Sequence, residues 1–237
     1  PKNLALSTFE ALDPSVQGDL LAGLREDSVR DLFADLDPDD RVGLLDELPA
    51  KVVHRLLAQL SPRERLMTTG LLGYPPEAVG RVMSPEYVTL KATMTAQEAL
   101  DRVRQLGPDA ETVYTLPVIA EDRRLIGITS LRRLVLADPG TRVAALMTEP
   151  ISAPVLSDRE DAARLVRAAD LLALPIVDAE HRLVGVFTVD DAMTVLEGAD
   201  TEDAARVGGA EPLRRPYLVA NVAQIARSRA IWLLVLA

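Results

Sequence analysis

Nine carboxylates crowd one short stretch of this chain: Glu26, Asp27, Asp31, Asp35, Asp37, Asp39, Asp40, Asp46 and Glu47, with only Arg25, Arg30 and Arg41 among them. Carboxylates held on facing surfaces repel by about 1 kcal/mol per pair at 4 Å in water, and by more where solvent is restricted. A divalent cation reverses that sign. A hard divalent cation takes oxygen ligands, so carboxylates of this kind suit one, directly or through bound water. Transition metals can occupy such sites too, so carboxylates alone do not fix the metal. The competing use of acids at helix starts is capping and a solvated face, and for Asp37, directly before Pro38, capping is the better reading.

Other chemistry is scarce. The chain has no cysteine, which removes disulfides, thiolate metal sites and cysteine nucleophiles. Its two histidines, His54 and His181, are 127 positions apart, which argues against a histidine-rich zinc site. There is no phosphate-cradling glycine loop and no Ser/His/Asp set, so the sequence reads as a non-enzyme. A net charge of −10 and an aromatic content of 3% speak against nucleic acid, which needs a basic surface and stacking platforms. At 48% hydrophobic residues over 237 positions, the chain can bury a core and divide into one to three domains.

Two internal repeats supply the elements that must position these acids. Phe9-Glu10-Ala11-Leu12-Asp13-Pro14 recurs as Phe33 to Pro38 and again as Leu57 to Pro62, a step of 24 residues. Each copy ends in Asp-Pro or Ser-Pro, an N-cap followed by the proline that a helix accepts at its first position. Apolar residues then follow at helical spacing, which predicts short helices stacked in a small α-superhelix. The second repeat has an offset of 58: Leu116-Pro117-Val118-Ile119 matches Leu174-Pro175-Ile176-Val177, and Arg124-Leu125-Ile126-Gly127-Ile128 matches Arg182-Leu183-Val184-Gly185-Val186. Each unit reads as a short leading strand (Val82-Met83-Ser84 or Leu146-Met147-Thr148), a helix near 95–106 or 158–170, two strands joined by a polar turn, and a helix. From 197 onwards the chain reads Glu197-Gly198-Ala199-Asp200-Thr201-Glu202-Asp203, and a Gly/Pro-containing stretch to Pro216 then leads to an amphipathic helix with Leu218, Val219, Val222, Ile225 and Ala226 on one side. The chain stops on an apolar run, Ala230 to Ala237, with Arg227 and Arg229 before it. Eight residues cannot cross a bilayer, which takes about 20, but basic residues ahead of an apolar run with Trp232 are the pattern of a cytoplasmic membrane entry.

The 58-residue repeat resembles a tandem pair of cystathionine-β-synthase-type (CBS) domains. In such pairs a Ser/Thr-x-x-Asp run places its Asp on the ribose of an adenine nucleotide. Thr188-Val189-Asp190-Asp191 fits that run, which makes Thr188 and Asp191 candidate nucleotide contacts. Ser130-Leu131-Arg132-Arg133 does not fit, because an Arg cannot accept a ribose hydroxyl. Taken whole, the order of parts resembles the cytosolic portion of the MgtE family of magnesium channels. Tyr74-Pro75-Pro76-Glu77-Ala78-Val79-Gly80-Arg81-Val82-Met83-Ser84-Pro85 looks like that family's junction, and Pro108-Asp109-Ala110-Glu111-Thr112 and Ala137-Asp138-Pro139-Gly140-Thr141-Arg142-Val143 are further similar runs.

The resemblance implies an α+β multidomain chain. An all-α superhelical N domain covers 1–80, CBS domains cover 81–142 and 143–200, and a linker, connecting plug helix and first transmembrane start cover 201–237. It implies a homodimer through the CBS pairs, attached at the cytoplasmic side of the cell membrane to a pore domain that is not in this sequence. It also implies that intracellular Mg2+ binds at acidic interdomain sites and gates the pore through the connecting helix. Carried over by matching runs, the metal role falls to Asp39 and Asp191, then Asp170, with Asp40 and Asp190 as alternates. ATP is the second ligand so implied, and the alternative function is a nucleotide-sensing CBS module that controls another membrane effector.

Overall fold

The structure is a computed structural model that describes residues 26–46 and 48–207, with Thr8, Leu12, Val16 and Leu20 as isolated positions. The first helical repeat, the amphipathic segment 218–226, and the apolar end with Arg227, Arg229 and Trp232 lie outside the described residues. The described chain divides into two compact units. One holds 26–36, 43–46, 48–60 and 194–207, and the other holds 37–42 and 61–193.

In the first unit the 24-residue step becomes a helical core. Helices α1 (Glu26–Asp35) and α3 (Ala50–Gln59) pack together, and α2 (Pro38–Asp46) contributes its second half. Phe33, Leu36, Leu44, Leu45, Leu56 and Leu60 are buried. Leu36 and Leu60, one step apart, therefore face the same interior, and full burial of such a side chain stabilises by about 1.5–3 kcal/mol.

The second unit opens with helix α4 (Pro62–Leu72), whose start follows the sequence closely. Ser61 Oγ accepts the Glu64 amide at 3.3 Å, the Glu64 carboxylate accepts the Ser61 amide at 2.8 Å, and Pro62 takes the first helical position. The CBS-like repeats follow. The first has α5 (Ala96–Leu106), β1 (Thr115–Ile119), β2 (Leu125–Ser130), and the short helices α6 (Leu131–Leu136) and α7 (Val143–Leu146). The second has β3 (Ala153–Pro154), α8 (Arg159–Ala168), β4 (Ala173–Val177), β5 (Leu183–Thr188) and α9 (Val189–Val207). Helix α5 starts on a Thr95/Glu98 capping box, and Asp158 accepts two amides at the start of α8.

The 58-residue offset survives at atomic register. Strand β1 pairs antiparallel with β2 from Thr115↔Ser130 to Ile119↔Leu125, and β4 pairs with β5 from Ala173↔Thr188 to Val177↔Leu183. The polar turns carry left-handed residues at matching places, Arg123 (φ 68°) and His181 (φ 59°). These two turns also meet: the Leu125 amide donates to the His181 carbonyl at 2.9 Å, and the Leu183 amide to the Arg123 carbonyl at 3.1 Å. The first repeat closes its core with Val88, Leu90, Ala96, Ala99, Val103, Leu116, Val118, Leu134 and Val143.

One expectation needs correction. The leading segments 82–84 and 146–148 are isolated bridges, and each lies on the other repeat. Ser84 exchanges both backbone hydrogen bonds with Val186 of β5, and Thr148 does so with Ile128 of β2. The sequence offset cannot reveal this, because the order of segments along the chain does not say which strand edge each one completes. Helix α9 runs unbroken through Gly198 to Val207. One internal glycine costs a helix only about 1 kcal/mol, and the Ala- and Glu-rich residues around it favour continuation.

Candidate functional site

Two helix starts carry most of the carboxylates that gather in the second unit. Asp39 and Asp40 occupy the first turn of α2, and Asp190 and Asp191 occupy the first turn of α9. Unpaired amides give a helix N-terminus a partial positive charge, which favours acids there and lowers the cost of bringing them together.

A third acid, Glu111, comes from the loop between α5 and β1. Its amide donates to the Glu86 carbonyl at 2.9 Å, and the buried Ser84 hydroxyl donates to its carboxylate. Ser84 is itself fixed by its exchange with Val186, so the crossed-over leading segment also orients Glu111.

The electrostatics show how crowded the group is. Burial pushes the Asp39 carboxyl well above the ordinary aspartate range, and the neighbouring charges of Asp191, Glu111 and Asp40 push it further. Burial raises Glu111 from 4.5 to about 8, with Asp191 and Asp37 adding to it and the Ser84 hydrogen bond opposing. Asp191 rises to about 6, mainly by burial, while the Thr188 hydroxyl that donates to its Oδ2 holds it down. Asp37, expected to act as a cap, belongs to the same field: its own carboxyl is raised by burial, and it raises Glu111 and Asp191.

Among the described residues, one cation is buried close by. Arg41 is 4% exposed and donates to Thr68 Oγ1 at 3.5 Å, but Glu64, Glu86, Asp37 and Asp39 all draw on it. A single guanidinium shared among four acids does not neutralise the group. Most telling is Asp39 Oδ1, which is closed off from solvent and has no hydrogen-bond partner among the described residues. A buried acceptor left bare costs on the order of 1–3 kcal/mol, more when charged, and a cation or its water is what would satisfy it.

The sequence candidates thus separate. Asp39, Asp40, Asp190 and Asp191 come together, with Asp190 exposed at the rim. Asp170 is exposed in the turn after α8, at φ 50°, and is not among the main charges that shift Asp39, Glu111 or Asp191. Thr188 is buried and bonded to Asp191, so the pair expected to meet ribose is engaged with the acidic group. Glu111 and Ser84 were missed as site residues. The only signal for Glu111 was its place in the Pro108–Thr112 run, since a loop acid has no periodicity to betray its partner.

Among the described residues, no three His, Cys, Asp or Glu side chains form a group that could hold a metal ion directly. The donors nonetheless fit a hydrated divalent cation: all are hard carboxylate oxygens, one is bare and buried, and two others are raised by burial and by neighbouring carboxylates. No described helix is long and apolar enough to cross a membrane.

Comparison with known proteins gives these features a context. Residues 1–77 match the family described as the MgtE intracellular N domain, and residues 79–140 and 143–198 match the CBS domain. The chain is 40% identical to the magnesium transporter MgtE of Thermus thermophilus over 183 residues, covering 77% of this chain and 41% of that protein. It is 36% identical to MgtE of Bacillus subtilis over 169 residues, covering 71% and 38%. It spans about two fifths of the length of these relatives. Among solved structures it is similar to the cytosolic domain of the Mg2+ channel MgtE in complex with ATP, with 39% identity, a TM-score of 0.77, and coverage of 82% of this chain and 80% of that one. The soluble part of a magnesium transporter matches at 30% identity and a TM-score of 0.73, covering 81% of each chain.

Proposed function

Because the chain belongs to the MgtE family, we propose that it is the regulatory part of a magnesium transporter, and that its acidic group senses intracellular Mg2+ and gates the pore. The observation that carries this reading is the bare, buried Oδ1 of Asp39 among carboxylates raised by burial and by one another. Without a divalent cation, the first turn of α2 and the first turn of α9 carry like charges that repel. With a hydrated cation between them, the repulsion becomes attraction and the two turns are held together. Asp39 and Asp191 would hold the cation, with Glu111 as the third carboxylate and Asp40 and Asp190 at the rim; Asp170 is a separate outer candidate. Helix α9 continues from this group to Val207, and a change at its first turn would pass along it to the connecting helix and the pore. Two copies joined through their CBS pairs would move together.

ATP enters as a second ligand, since one similar protein is known in complex with it. A module that senses nucleotide alone is the competing function. The test is limited proteolysis and small-angle scattering of this chain during a titration with MgCl2 to millimolar concentrations. The expected result is compaction and protection of the segment around Asp37–Val42, weakened by Asp39→Ala with Asp191→Ala. If magnesium changes neither while ATP changes both, the nucleotide module is the function.

A further inference from the structure

Helix α4 is fastened to the CBS-like repeats at its C-terminal end. The turn Val79–Arg81 that follows it is buried, and its backbone is tied to the second repeat: the Val79 amide donates to the Ser157 carbonyl at 2.8 Å, and the Gly80 amide to the Val155 carbonyl at 3.0 Å. Arg81 turns back and donates through Nη1 to the carbonyls of Leu72 and Tyr74. Those carbonyls lie at the open end of α4, where a helix carries partial negative charge and favours a cation. Helix α4 is therefore a fixed support for whatever docks on it.

What docks on it is Arg41. Its Nη1 donates to the hydroxyl of Thr68, which is fully buried on α4, and Arg41 is itself buried on α2, one residue beyond Asp40. The first turn of α2 is thus tied to the support through a charged side chain. Four carboxylates attract this guanidinium: Glu64 of α4, Glu86 from the loop beyond the leading segment, and Asp37 and Asp39 at the start of α2. Two of them have other partners, since Glu64 accepts the Ser61 amide and Glu86 meets Arg63 at 3.2 Å. A guanidinium carries five donors in a planar fork and keeps its charge, so one side chain can serve several acceptors. Unlike a divalent ion, it cannot dissociate.

We propose that Arg41 is a resident counter-cation, which keeps the Asp37–Val42 segment on α4 when no divalent ion is bound. Resting on the regulatory reading of the acidic group, this role explains why carboxylates without a cation do not drive the segment off altogether. Magnesium then adds to a partial attraction instead of supplying all of it. Its release loosens the first turn of α2 without freeing it.

The test is amide hydrogen exchange of this chain in EDTA and then in saturating MgCl2, read at positions 41 and 42 with α5 as internal reference. The Arg41 amide donates to the Asp37 carbonyl at 2.9 Å, so its exchange reports on the segment directly. In EDTA, Arg41→Met removes the charge and should lower protection there by about 10-fold or more, leaving α5 unchanged. Arg41→Lys keeps the charge and should cost less than about 3-fold. Thr68→Val keeps the charge but removes its tether, and should cost about 3-fold. In MgCl2, R41M should return to within about 3-fold of the parent, because a divalent ion replaces the missing charge. Unchanged protection in R41M overturns the proposal. So does R41K falling as far as R41M, or an R41M loss that persists in MgCl2 while the parent responds, since either outcome assigns the effect to packing. Should R41M lose the protection of α5 as well, T68V decides, and an unchanged segment there overturns the proposal. Magnesium without effect on the parent would sink the regulatory reading alone, because the comparison in EDTA contains no magnesium.

Discussion

Asp39, Glu111 and Asp191 are acids placed where an acid is costly, and that cost is what makes them responsive. Glu111→Gln keeps the shape of the side chain and removes one repelling charge. It should stabilise the cation-free chain at pH 8 by about 1–3 kcal/mol and shrink the stabilisation that MgCl2 gives, both read by chemical denaturation. Dependence on pH follows from the same shifts. Glu111 titrates at about 8 in the folded chain against an ordinary 4.5, so between those values the folded state keeps a proton that the unfolded state releases. Stability without divalent ions should therefore be greatest near pH 4.5 and decline as pH rises to about 8, with Asp191 adding to the decline up to about 6. Magnesium should flatten that slope, because it stabilises the ionised carboxylates. A cation-free chain whose stability rises over this interval would contradict the electrostatic account. Arg41 moderates the effect without removing it, since one buried guanidinium serves four acids.

At the scale of elements, the hairpins β1–β2 and β4–β5 were legible because the apolar β-branched runs and polar turns recur at a constant offset. The glycines in them had no evident purpose until the packing was known. A Cβ on Gly127 would stand 2.7 Å from Met147 Sδ, and one on Gly185 would stand 2.8 Å from Met83 Cγ. Each methionine belongs to the leading segment that crosses onto that hairpin, so the glycines mark where a foreign strand must come close. Gly127→Ala should destabilise by about 1–3 kcal/mol through overpacking. Met147→Ala in the same chain should recover part of that loss, and a thermal-melt double-mutant cycle measures the coupling. Additive effects would mean that the methionine does not set the need for glycine.

For the whole molecule, the crossing makes the two repeats one cooperative body. A fragment of residues 143–207 keeps every helix and strand of the second repeat but lacks Ser84, the backbone partner of Val186. It should fail to give a cooperative thermal transition by circular dichroism, whereas residues 78–207 should give one. A sharp melt from the shorter fragment would show that the exchange is dispensable. The sequence by itself determined the helical array, the paired hairpins and the acidity, because apolar periodicity, turn chemistry and charge are local properties written in consecutive residues. It also brought Asp39 and Asp191 forward, through runs that resemble the MgtE family. Only the tertiary structure decided that Asp37–Val42 belongs to one compact unit with the CBS pair, that Glu111 and Ser84 complete the acidic group, and that Asp170 is turned out to solvent. Burial and through-space repulsion depend on residues far apart in the chain, and neither spacing nor composition records which of them meet.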